Sequence, residues 1–188
     1  KDVKLPVPAQ SVKNNSANIA FGGIASDVVV LSEKLANSAI KAGNGIVENG
    51  DVDNDITIGA LQKQAVILAQ AGADIVAPSD MMDGRIMAIR EELDSNDFTH
   101  VNILAYAAKY DSSFYGPFRQ AVRSNKKEYL SKATYQMDIR NIKEGMREIE
   151  QDISEGADMI MVKPGMPYLD VIREASERFD VHIFAYQV

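Results

Sequence analysis

Short continuous apolar runs alternate along this chain with longer stretches in which apolar residues recur every three or four positions. The runs are Ser26 to Leu31 (SDVVVL), Ala73 to Ala77 (ADIVA), Val101 to Lys109 (VNILAYAAK), Ala157 to Lys163 (ADMIMVK) and Val181 to Val188. Runs this short and without polar alternation are expected of strands covered on both faces of a sheet. Between them the period changes to that of a helix. Asp55 to Ala71 places Ile58, Leu61, Ala65, Leu68 and Ala69 on one face, with Asp55 as the cap and Gly72 as the stop. Further helices are expected over 32–42, 85–93, 115–123, 141–155 and 167–179. Gly43, Gly45 and Gly50 mark a loop or short hairpin. Residues 1–24, with Pro6, Pro8 and Gly22-Gly23, read as an irregular arm.

Two junctions repeat nearly letter for letter: QAGADIVAPSD at 70–80 and SEGADMIMVKPG at 154–165. Each is a helix end, a glycine stop, Ala-Asp, an apolar strand and a loop containing proline. About five strands with helices between them predict a parallel sheet. An open doubly wound sheet and a section of a (β/α)8 barrel both satisfy that pattern. A whole barrel needs about 250 residues, so 188 residues fit only part of one.

Composition narrows the function classes. The apolar share of 46% supports one substantial core, and a net charge of −7 from 27 acidic and 20 basic residues argues against a nucleic-acid surface. There is no cysteine, so no disulfide or thiolate metal site is possible. No apolar run reaches the roughly 18 residues of a membrane span, and the first residues lack the apolar core of a signal peptide. These features predict a cytoplasmic protein, or a plastid one in a eukaryote. With a first residue other than Met, the expectation is a chain that is processed, trimmed or partial.

The candidate chemistry lies in two lysines. Lys163 closes an apolar strand and is followed by Pro164, Gly165 and Pro167; Lys109 closes another strand in the same way. Strand carboxyl ends are where βα-repeat folds do chemistry. Two amines at one rim depress each other's pKa, and an amine against an apolar wall can attack a carbonyl as a Schiff-base nucleophile. Arg119 in FYGPFR and Lys132, which lies before Tyr135-Gln136, can face a carboxylate. His100 and His182 lack metal-ligand spacing and read as structural. Asp80 and Asp83 read as helix caps, and Met81, Met82, Met159 and Met161 as core or pocket wall.

The segments APSDMMDGRI (77–86), AYAAKYDSSFYGPFRQA (105–121), ATYQMD (133–138), EGADMIMVKPGMPYLDVIRE (155–174) and AYQV (185–188) resemble the porphobilinogen synthase, or 5-aminolevulinate dehydratase, family. The resemblance implies a (β/α)8 barrel, incomplete here, over residues 25–188, and a hydro-lyase of tetrapyrrole biosynthesis. Such an enzyme condenses two molecules of 5-aminolevulinate to porphobilinogen with loss of water, in a homo-octamer. By the same resemblance Lys163 forms the Schiff base with the first substrate and Lys109 with the second. Arg119, Lys132 and Gln136 surround the second substrate's carboxylate, and Glu148 holds an allosteric magnesium ion at a subunit interface.

Two departures qualify the expectation. After Asp27-Val28 the chain reads VVLSEKLANSAIKAGNG, without the cysteines or aspartates that hold an active-site metal in family members, so no active-site zinc is expected. The match also stops at AYQV, before the family's Ser-Gly-Glu-Tyr segment. The alternative is therefore a truncated or degenerate barrel fragment that binds without turnover. A Schiff-base aldolase would use the same strand-end lysines, but the GPFR and TYQMD segments belong to the synthase pattern.

Overall fold

The computed structural model describes residues 19–21, 46–48, 51–116 and 132–188. Within them, β1 (Ile19–Phe21), β4 (Ile75–Ala77), β5 (Asn102–Lys109), β6 (Met159–Lys163) and β7 (His182–Ala185) form one parallel sheet. β2 (Ile46–Glu48) and β3 (Asp51–Asp53) pair antiparallel as the hairpin that the glycines predict. Neighbours in the large sheet follow chain order, β1-β4-β5-β6-β7, and every pairing is parallel. A doubly wound sheet would reverse its strand order at a switch point. The progression in one direction is that of an incomplete (β/α)8 barrel, which settles the choice that periodicity left open.

Four helices lie wholly among the described residues: α1 (Asn54–Gln70), α2 (Arg85–Ser95), α3 (Ile142–Ser154) and α4 (Leu169–Arg178). Leu61, Ala65, Ile86, Ile89, Leu93, Met146, Ile149, Val171 and Ala175 on these helices pack with Val76, Ile103, Ala105, Ile160 and Val162 of the strands. A second apolar layer, made of Ile75, Ala77, Leu104, Tyr106, Met159 and Met161 with Phe184 and Tyr186 against it, covers the face turned away from the helices. Both faces of the central strands are thus buried, as their unbroken apolar runs predict.

The repeated Gly-Ala-Asp junctions have a common geometry. Gly72 and Gly156 end their helices at φ values of 95° and 106°, a left-handed conformation that a residue with a Cβ rarely adopts. The aspartate that follows meets the start of β5 in each case. The Asp74 carbonyl accepts from the Asn102 amide at 3.0 Å, and the Asp158 carboxylate accepts from the Ile103 amide at 2.8 Å. The Asp158 amide also donates to the Ile103 carbonyl at 3.0 Å.

Several expectations need correction. Ile19–Phe21 is not part of an irregular arm but a strand paired with Ile75–Ala77; proline and glycine nearby hid a three-residue element. The cap of α1 is Asp53, extended at φ −88° and ψ 121°, whose side chain accepts from the Ile56 amide at 2.8 Å. Asp55 lies one residue inside the helix, where an acid complements the exposed amide end. A 3-10 turn, Ser113–Tyr115, leads into the expected helix over 115–123, of which Gly116 is already α-helical; positions 117–123 lie outside the described residues. The predicted strand at 26–31 and helix at 32–42 also lie outside them, as does Asp27-Val28.

Candidate active site

β5 and β6 bring the two lysines level. Leu104 pairs with Met159 and Ala105 with Ile160, but Ala108 pairs with Val162 and Lys109 with Lys163, three steps on β5 against two on β6. This is a β-bulge: one extra residue on β5 shifts the side-chain alternation. Ala107 and Ala108 both lie in the helix-side core, while Leu104 and Tyr106 belong to the opposite face. Strict alternation from Leu104 and Tyr106 would turn Ala108 away from the helices and Lys109 toward them. The bulge reverses that order, and Lys109 joins Lys163 on the face of Tyr106.

Both lysines are only 6% exposed. Lys109 Nζ donates to the Ser79 carbonyl at 2.8 Å and lies 3.3 Å from Ser79 Oγ. Lys163 Nζ lies 3.9 Å from the centroid of the Tyr186 ring, 5.4 Å from that of Tyr106 and 5.6 Å from that of Tyr115. The Tyr106 ring also borders Lys109, at 5.7 Å. Burial, with Tyr186 beside it, pushes the Tyr106 hydroxyl above its ordinary pKa, so it stays protonated at neutral pH.

Tyr186 reaches Lys163 because the loop after β6 is tied to the end of β7. The Gly165 amide donates to the Tyr186 carbonyl at 2.7 Å, and the Tyr186 amide donates to the Val162 carbonyl at 3.1 Å. A Cβ on Gly165 would meet the Ala185 Cβ at 3.0 Å, tighter than ordinary packing, so glycine suits this close approach. The Lys163-Pro164 peptide is cis.

Of the other expected site residues, Gln136 is brought to the same rim. The Met137 amide donates to the Lys109 carbonyl at 3.1 Å, and the Asp111 amide donates to the Met137 carbonyl at 3.0 Å. Gln136 is 6% exposed, and its Oε1 has no hydrogen-bond partner among the described residues. Lys132 opens the 3-10 turn Lys132–Thr134 that leads toward Gln136. Arg119 lies outside the described residues. Glu148 is not at the rim but on α3, half-buried, where desolvation raises its pKa against the opposing pull of Arg85 and Arg147. Among the described residues, no three His, Asp or Glu side chains are grouped to hold a metal ion. His100 and His182 are exposed, His100 beside Phe98.

Sequence reading missed a buried charge cluster behind Lys109. Arg85, 2% exposed, forks onto Asp152 with Nη1 to Oδ1 at 3.0 Å and Nη2 to Oδ2 at 2.8 Å. Its Nε lies 3.3 Å from Asp80 Oδ1, and its Nη2 reaches the Tyr106 carbonyl at 3.4 Å. Burial raises the pKa of both carboxylates against the pull of Arg85, that of Asp152 to about 6. Neither Asp80 nor Asp83 caps α2, whose first residue follows Gly84 without a capping side chain. Asp80 instead turns the loop by accepting from the Met82 amide at 2.7 Å, and Asp83 accepts from Gln151 at 3.0 Å. Nothing in the local spacing announces Asp152 as the distant partner of Arg85. Ser79 and Tyr186 were missed for the same reason, since each reaches its lysine only through the pairing of strands.

The family model described as Delta-aminolevulinic acid dehydratase matches residues 21–188. A delta-aminolevulinic acid dehydratase from Bradyrhizobium diazoefficiens is 57% identical over 145 residues, covering 77% of this chain and 41% of that protein. A chloroplastic one from Glycine max is 51% identical over 164 residues, covering 86% of this chain and 40% of that protein. Among solved structures, that of delta-aminolevulinic acid dehydratase (porphobilinogen synthase) from Toxoplasma gondii ME49, in complex with the reaction product porphobilinogen, matches with a TM-score of 0.79 and 47% identity. It covers 92% of this chain and 46% of that one. The chain thus spans less than half the length of each of these relatives.

Proposed function

As the chain belongs to the delta-aminolevulinic acid dehydratase family, we propose that it carries the paired-lysine site of a porphobilinogen synthase, which condenses two molecules of 5-aminolevulinate to porphobilinogen. The observation that carries this reading is the level placement of Lys109 and Lys163 on adjacent strand ends, both nearly closed to water.

Each lysine works as an amine that adds to the ketone carbon of one substrate. The carbinolamine then loses water to give an imine, and the nitrogen of each substrate's parent lysine holds its carbon skeleton in place. Three aromatic rings around Lys163 exclude the water that would hydrolyse the imine, and their faces attract its protonated form. At Lys109, Ser79 orients the nitrogen through its carbonyl, which can only accept a hydrogen bond. Holding two ketones on neighbouring strands makes their joining an intramolecular event, and that alone removes a large part of the entropic barrier.

We assign Gln136, Arg119 and Lys132 to the carboxylate of the substrate on Lys109. The support is the family match, and for Gln136 a buried amide oxygen with no partner among the described residues, one position before Met137, whose amide donates to the Lys109 carbonyl. Glu148 is assigned to a magnesium ion shared with another copy of the chain. A half-buried carboxylate suits that ion, which keeps most of its waters and needs one or two carboxylates. No step of the reaction is routed through it, and no zinc is assigned to the lysine site. The assembly is proposed as a homo-octamer, and the compartment as cytoplasm, or plastid as the name of the soybean relative states for that protein. No helix among the described residues is long and apolar enough to cross a membrane.

The test is reduction of the protein with borohydride in the presence of 5-aminolevulinate, followed by peptide mapping. The expected adduct is on Lys163 first and on Lys109 second; adducts confined to other lysines would overturn the assignment. A porphobilinogen colour assay on the same protein separates a working synthase from a barrel that only binds the ketone.

A further inference from the structure

We propose that Arg85 is a positioning residue for Lys109, acting through two separate contacts that converge on that amine. The inference rests on the functional reading above and deepens it. The first contact is with the loop after β4. Arg85 Nε makes an ion-pair contact of 3.3 Å with Asp80, the residue next to Ser79, and its Nη1 donates to the Met82 carbonyl at 3.3 Å. Ser79 in turn accepts from Lys109 Nζ at 2.8 Å. The second contact is with the bulge. The Tyr106 carbonyl lies in the stretch where the β5 ladder loses its register, and Arg85 Nη2 reaches it at 3.4 Å. That irregularity is what turns the Lys109 side chain onto the face shared with Lys163.

Arg85 itself is fixed from behind by the fork to Asp152 on α3. One guanidinium therefore ties together the loop that holds the Lys109 nitrogen, the strand segment that aims it, and a helix that neither of them touches in sequence. An arginine suits this place because its planar fork reaches several acceptors at fixed angles; a lysine would supply the charge at a single point. Lys163 is less directly coupled to Arg85: the guanidinium meets one of its ring neighbours, Tyr106, at the main-chain carbonyl, whereas the nearest ring, Tyr186, is set by the β6–β7 junction.

That difference in directness supplies an internal control. The experiment compares unaltered protein, Arg85→Lys and Asp80→Asn after reduction with borohydride in 5-aminolevulinate, and reads the ratio of adduct on the Lys109 peptide to adduct on the Lys163 peptide. Arg85→Lys is expected to lower the ratio about tenfold, with the Lys163 adduct within twofold of its original level. Asp80→Asn keeps the side-chain shape and the fork to Asp152, and should lower the ratio about threefold. If Arg85→Lys loses cooperative unfolding, Asp80→Asn decides. An unchanged ratio in the folded variants, or an equal fall of both adducts in each, would overturn the positioning role and leave the functional reading standing. Absence of adduct from both lysines of unaltered protein would overturn that reading and this inference with it.

Discussion

Lys163 carries its nitrogen 3.9 Å from the centre of the Tyr186 ring, a contact made across the β6–β7 pairing and not along the chain. A cation over a desolvated aromatic face gains about 0.5–2 kcal/mol, and both the ammonium and the protonated imine of Lys163 are cations. Tyr186→Phe should therefore leave the trapped Lys163 adduct within about twofold. Tyr186→Ala should lower it by about two- to thirtyfold, the range those energies convert to. Quantifying the Lys163 peptide after borohydride reduction checks this, and equal adduct in both variants would refute it.

A tighter packing constraint lies beside the rim, on the helix side. Tyr110 stacks on Tyr168 with centroids 4.0 Å apart and planes 10° from parallel, and its hydroxyl occupies the space over Gly145. A Cβ on Gly145 would meet that hydroxyl at 2.5 Å and the ring carbon behind it at 3.5 Å. Gly145→Ala should cost about 1–3 kcal/mol of stability by overpacking. The Tyr110 hydroxyl has no hydrogen-bond partner among the described residues, so Tyr110→Phe alone should cost less than about 1 kcal/mol. The double substitution should then be more stable than Gly145→Ala. Urea midpoints of the four proteins give the cycle, and additive costs would contradict the geometry.

The buried carboxylates predict an acid-side gain in stability. Asp152 holds its proton in the fold up to a pH of about 6, against an ordinary value of 3.8, because burial outweighs the attraction of Arg85. A pKa raised in the fold means that the folded state binds the proton more tightly. The contribution is full below about pH 4 and is lost as pH rises through about 6, by at most about 3 kcal/mol. Asp80, Glu155 and Arg85 face the same group, and Asp80 shifts in the same direction. Between pH 4 and pH 7 the urea midpoint of the unaltered protein should fall relative to that of Asp152→Asn. Parallel curves would show that Asp152 is ionised throughout.

Magnesium offers a test that does not touch the lysines. If Glu148 holds an ion between copies of the chain, magnesium should favour the larger assembly by mass action, and Glu148→Gln should remove that response. Sedimentation with and without magnesium reads the result. Porphobilinogen formation should survive a zinc-selective chelator; loss of activity restored by zinc alone would contradict the proposed absence of an active-site zinc.

Much of the architecture was legible because local chemistry and the final fold agree. Gly72 and Gly156 announce helix ends and take the left-handed conformation that only glycine adopts easily. The unbroken runs ending at Lys109 and Lys163 predict strands buried on both faces, and the residues are buried as expected. The prediction of both amines at one rim was right for a reason the letters do not carry. Alternation counted along VNILAYAAK points Lys109 at the helices, and only pairing with β6 reveals the extra residue. Asp80 and Asp83 looked like caps because they precede a helix, yet Asp80 pairs with the side chain of Arg85, the first residue of that helix, and Asp83 with Gln151 of α3. Long-range partners leave no local periodicity by which to be read.

The bulge also determines which kind of genetic change this pair of lysines can tolerate. Substitutions along β5 alter the size or polarity of a wall but leave the parity of the strand intact. Loss of a single residue between Ala105 and Lys109 would reverse that parity, moving a charged amine into an apolar layer of Ile103, Ile149 and Val162, where an unpaired charge is costly. The same logic applies to recruiting a second nucleophile in any parallel sheet. Placing a lysine at the end of the neighbouring strand is not enough, because half of all spacings deliver it to the wrong side, and an insertion of one residue is the smallest edit that converts a failed placement into a pair.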